Sequence, residues 1–155
     1  MTKKADEIFN NSFQTSFDAE KRHTAAMAEL EQTQRDQVKV IKNEIETIIS
    51  QIPSVFKVEN IRFDTVAKFE VIIPSGNPKD KSSENYWEVG MYPHGRKNTP
   101  TYQISLRHAP HWDANEEITA YEIPQGRAIE IIASELGKIL GREYEWLVQQ
   151  GRVID

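Results

Sequence analysis

The amino-acid sequence predicts an α+β fold: a long N-terminal helix, a four-stranded antiparallel meander sheet and a C-terminal helix, with both helices packed on one sheet face. Three observations carry this prediction. The first 52 residues contain neither glycine nor proline, and the first breaker is Pro53. Residues 55–107 alternate apolar and polar side chains in short runs separated by turn-forming segments. From Ile129 onward, apolar residues recur every three or four positions. Helix, strands, helix is the order of a two-layer sandwich.

The N-terminal region divides into three parts. Residues 3–17 place Phe9, Phe13 and Phe17 four apart, on one face of a helix. Asn10, Asn11, Ser12, Thr15 and Ser16 weaken helix formation there. Thr15 and Asp18 have capping-box spacing, so a new helix is predicted to start near Ser16, and the long helix to run from about Asp18 to Gln51. Its second half carries an apolar seam at Val38, Ile41, Ile45, Ile48 and Ile52. Its first half, with Thr24, Met27, Leu30, Glu31 and Gln34, is rich in good helix formers but has no continuous apolar stripe. Thirty-four helical residues span ~50 Å, and a globular chain of this length is ~40 Å across. The front half should therefore reach the rim of the body or extend past it. Residues 1–155 read as one domain, with 1–37 as arm and projecting half-helix and 38–155 as the globular core.

Residues 55–63 and 66–73 read as strands joined at Asp64-Thr65, and in the second Ala67, Phe69, Val71 and Ile73 share a face. Residues 74–85 form a loop. Residues 86–92 and 101–107 give the third and fourth strands, around a turn at 94–99. Residues 117–123 offer a short additional edge strand. In the last helix Ile129, Ile132, Ala133, Leu136 and Leu140 form the stripe. Gly137 and Gly141 predict either close approach to the sheet or a break, and Gly151 predicts a C-terminal cap. This element order, with Tyr92-Pro93 before the fourth strand, resembles RWD and ubiquitin-conjugating-like domains over residues 38–150. The resemblance is one of order alone. The RWD pattern sets three residues between YP and the next proline, and here six separate Pro93 from Pro100.

Composition narrows the function classes. With 38% hydrophobic and 28% charged residues the chain is that of a folded globular protein. No apolar run approaches the ~18 residues of a membrane span. Two lysines near the start are followed by no apolar segment, which argues against a secretory signal and for a cytoplasmic protein. The absence of cysteine excludes disulfides, thiolate metal sites, cysteine nucleophiles and conjugating chemistry. Residues 1–54 carry seven Lys and Arg against nine Asp and Glu, residues 55–112 eight against six, and residues 113–155 four against nine. A net charge of −5 argues against general nucleic-acid binding.

No hydrolase, nucleotide-binding or zinc-protease motif is present, no cofactor is implied, and the chain reads more readily as a binding protein than as an enzyme. The leading reading is a protein-binding module, of inhibitor or regulatory type, that acts through its N-terminal helix on another protein or on a second copy of itself. Its candidate contacts are Phe9, Phe13, Phe17, Met27 and Leu30, together with Arg96 and Lys97 in the basic turn. The Phe stripe either packs on the chain's own body or docks on such a partner. A second reading is a small enzyme or metal- or ligand-binding protein using the 108–116 loop, with His108, His111 and Asp113 as candidate ligands. If the hairpin turns near Lys97, His94 lies ~23 Å from His108 and cannot complete that site. A third reading takes the acidic C-terminal segment, with Glu130, Glu135, Glu143 and Glu145, as a mimic of nucleic acid, although Arg127, Lys138 and Arg142 interrupt it.

Overall fold

A computed structural model describes residues 3–74, 85–95, 100–109 and 117–152. Helix α1 (Lys3–Gln51) is followed by strands β1 (Lys57–Phe63), β2 (Ala67–Ile73), β3 (Asn85–Pro93), β4 (Thr101–Ala109) and β5 (Glu117–Pro124), and then by helix α2 (Gln125–Gln149). The strands form one antiparallel meander in the order β1-β2-β3-β4-β5. The fold is α+β as predicted, but the sheet has five strands rather than four. The predicted edge segment is a full strand because Ile118, Ala120 and Ile123 fall opposite Leu106, Ile104 and Tyr102 and extend their apolar row.

Helix α1 is also longer than predicted. It runs unbroken for 49 residues, ~73 Å, with no new start at Ser16. The polar residues at 10–16 cost a few tenths of a kcal/mol each. Against this, Phe9, Phe13 and Phe17 stack in sequence at 6.3 Å between centroids, and Gln14 donates to Asp18 at 3.0 Å. Nucleation, the costly step for a free helix, is met by the C-terminal half held on the sheet.

The core lies between the helices and one sheet face. Along β2, Ala67, Phe69, Val71 and Ile73 are buried. The register sets Val71 beside Trp87 and Phe69 beside Val89, and Val89 beside Leu106. Val38, Ile41 and Ile45 from α1 and Ile132, Leu136 and Ile139 from α2 close the same cluster. The opposite face is polar, with Lys68 paired to Glu88 at 2.8 Å. Both edge strands carry a bulge: Asn60 in β1 and Glu122 in β5 have positive φ where the register shifts. Bulges of this kind twist an edge away from further strand pairing.

The two predictions for Gly137 and Gly141 both fail. Helix α2 is continuous through them, and a Cβ at either position would meet no other described atom within 4 Å. They face an open groove rather than the sheet. Gly151, at φ +70, ends α2 as predicted: its N–H bonds to the Val148 carbonyl and that of Arg152 to the Leu147 carbonyl, the paired bonds of a Schellman cap.

Candidate protein-binding surface on the N-terminal helix

The body holds α1 only from about Leu30 onward. Leu30 is half-buried against the Cα of Gly95, which has φ +76 and no room for a side chain. The Gln34 side chain donates to the Pro93 carbonyl at 3.4 Å. Gln37 is 8% exposed and works from both ends: its Oε1 accepts from the Gly95 N–H at 3.2 Å, and its carbonyl accepts from the Tyr102 hydroxyl at 3.1 Å. Tyr102 is fully buried, and that burial pushes its phenol above the usual range. Sequence reading missed this clamp, since Gln34 and Gln37 look like ordinary helix-surface residues until the β3–β4 turn is placed against them.

Beyond the clamp, every residue from Asp6 to Glu29 is exposed. This is an exposed rod of 24 positions, ~36 Å long. Phe9, Phe13 and Phe17 remain 65%, 60% and 53% exposed, with Ile8 and Met27 also open. The stripe therefore does not pack on the chain's own body. A contiguous aromatic row in water is unusual for an isolated globule. With a drift of about 20° per heptad, it lies roughly 60–80° around the helix from the buried seam. Phe17 precedes Val38 by three heptads, and Phe13 precedes Met27 and Ile41 by two and four.

The other sequence-predicted site residues are dispersed. Arg96, Lys97, His111 and Asp113 lie outside the described residues. His94 and His108 sit at opposite ends of the β3–β4 hairpin. His94 Nδ1 is 3.0 Å from the Thr101 hydroxyl, and its backbone N–H bonds to the Thr101 carbonyl. His108 stacks on Trp87 at 4.7 Å and 14° and bonds to the Asn85 side chain. This places His108 in a structural aromatic pair. Among the described residues, no three His, Asp or Glu side chains converge as a metal site would require.

The C-terminal end of α1 and the middle of α2 enclose an apolar groove of about 480 Å³, lined by Ile48, Ile52, Leu136, Leu140 and Tyr144 and left open by Gly137 and Gly141. The acidic residues of α2 are interspersed with cations: Arg127 lies 3.4 Å from Glu130, and Lys138 lies 3.4 Å from Glu135. Among the described residues no helix is long and apolar enough to cross a membrane. A scan of protein-family models and searches of curated proteins and of solved structures find no match to this chain.

Proposed function

We propose that the chain is a non-enzymatic protein-binding module that presents the front half of α1 to a partner protein. The observation that carries this reading is the exposed Phe9–Phe13–Phe17 row on a helix that leaves the body at Leu30. Three aromatic side chains at i, i+4 and i+8 match the anchors by which one helix lies against another. Aromatic residues also dominate the buried centres of protein interfaces. The rod is preorganised because its helix is nucleated on the body, so a partner need not supply the ordering free energy that a disordered segment would demand. An inhibitor or regulatory role in the cytoplasm fits a small chain whose most distinctive surface is a recognition helix.

The test compares the full chain with a Phe9→Ala/Phe13→Ala/Phe17→Ala variant, each immobilised and exposed to extract of the native host. Proteins retained by the wild-type chain should be lost from the variant while its thermal stability stays unchanged. Equal retention by the two refutes the role assigned to the rod.

A further inference from the structure

We propose that the groove between α1 and α2 binds a medium-chain fatty acid, with the alkyl chain in the groove and the carboxylate over Gly141, held by Arg142 and Lys138. The site lies on the body, and it stands independently of the role given to the rod.

The apolar half of the site is already built. Ile48 and Ile52 of α1 and Leu136, Leu140 and Tyr144 of α2 border a space of about 480 Å³. Apart from Gln51 and the Tyr144 hydroxyl, every described side chain lining it is apolar. Sites for small ligands occupy about 300–1,000 Å³, are mostly apolar and place a few polar groups at defined points. Three turns of a helix about 10 Å across fill ~1,300 Å³, so the groove would take only one flank of a helical partner. An alkyl chain is slender enough to be enclosed.

Gly137 and Gly141 keep this space open. The α2 backbone does not require them, since the helix is regular through both and neither has positive φ. No close contact within the described chain requires them either. Glycine weakens a helix interior, so two of them four apart call for a reason outside the helix itself. A chain lying against the bare α2 backbone supplies one.

The charged half follows from helical position. At about 100° per residue, with Gly141 as zero, Gly137, Tyr144 and Leu140 lie near −40°, −60° and −100°, and Lys138 and Arg142 near +60° and +100°. Gly141 is therefore the low point between the groove and two cations. A shallow depression on its far side is lined by Lys138, Arg142 and Glu145. Lys138 lies 3.4 Å from Glu135, and Glu145 accepts from the Gln149 side chain at 3.2 Å. Arg142 forms no ion pair with any described residue. Its planar guanidinium can engage both oxygens of one carboxylate, and Lys138 offsets the charge of Glu145. From the cations to the middle of the groove is an arc of ~14 Å around the helix, the reach of a medium-length alkyl chain. A free cation beside an apolar groove selects a monoanion with an apolar tail over a cation of the same shape.

The experiment is isothermal titration calorimetry of the full chain with sodium dodecanoate below its micellar concentration. Saturable one-to-one binding with a negative heat-capacity change is expected. Dodecyltrimethylammonium, with the same chain and a cationic head, should bind at least about tenfold more weakly, and Arg142→Gln should weaken dodecanoate binding about tenfold. Gly137→Leu and Gly141→Leu should each abolish uptake while Tm stays at or above the wild-type value, because both positions have room for a side chain. Gly137→Ala/Gly141→Ala should weaken uptake in the same direction. Phe13→Ala should bind as the wild type does. No saturable uptake by the wild-type chain overturns the site. Undiminished binding by the leucine variants overturns the groove as its location, and loss of binding in Phe13→Ala does the same by moving uptake to the rod. Equal affinity for the two head groups, or full affinity in Arg142→Gln, overturns the placement of the carboxylate.

Discussion

Replacing Gly137 and Gly141 by alanine should make the protein more stable. Both lie inside α2, whose helix is continuous from Gln125 to Gln149. A glycine in a helix interior costs about 1 kcal/mol relative to alanine, mainly through the freedom it regains on unfolding. Alanine avoids that cost only if its methyl group has space, and here no other described atom lies within 4 Å of a Cβ at either site. The pair should therefore gain about 2 kcal/mol. For a chain of this length each kcal/mol moves Tm by ~2–4 °C, so Tm should rise by ~4–8 °C. Urea denaturation should show a higher midpoint with an unchanged slope, since the surface exposed on unfolding barely changes. Gly95→Ala supplies the opposite sign under the same assay. Its φ of +76 and the Leu30 methyl against it leave no place for a Cβ, and it should lose about 1–2 kcal/mol. A neutral or destabilising effect of the α2 substitutions would refute the reasoning, because something would then have to fill the space above the two glycines.

Two further outcomes are expected. Ile41→Ala should cost about 2–5 kcal/mol in the unfolding free energy because Ile41 is fully buried in the core, whereas Phe13→Ala, measured in dilute solution, should stay within about 0.5 kcal/mol of wild type. Asp64 accepts a bond from the Arg62 guanidinium, and with the Thr65 and Val66 backbone N–H groups this holds its carboxyl below the usual range despite partial burial. A depressed folded-state pKa stabilises above the unfolded value of about 3.9, and that contribution fades as pH falls through the folded pKa. Asp64→Asn should cost no more than about 1 kcal/mol at neutral pH, since solvent screens this half-exposed carboxylate, and chemical denaturation of variant and wild type should converge below about pH 4.

Much of the architecture was legible in the sequence, and for identifiable reasons. Period-two alternation at Ala67, Phe69, Val71 and Ile73 allows a single buried face, and the step of three and four from Val38 to Ile45 does the same for a helix. Two boundaries were not legible. Local propensity put a helix start at Ser16 because asparagine and serine favour caps. Continuity prevailed because the fold nucleates α1 from its other end and nothing breaks the chain between. The fifth strand, at eight residues comparable in length to the other strands, has no clean apolar alternation of its own and read only as an edge segment until β4 gave it a register.

For the candidate site the division is sharper. The sequence by itself determined that Phe9, Phe13 and Phe17 share a helical face, because spacing alone fixes that. Only tertiary structure decided that this face is open, since exposure depends on where the sheet ends, and the sheet ends at the turn carrying Gly95. The clamp at Leu30, Gln34 and Gln37 marks that limit. It joins residues about 60 positions apart in the chain, Gln34 to Pro93 and Gln37 to Gly95 and Tyr102, and no local pattern encodes such a contact. The groove beside Gly137 and Gly141 is the same case: the spacing of the glycines is local, but the empty space above them is a property of how two helices, far apart in sequence, come to rest on one sheet.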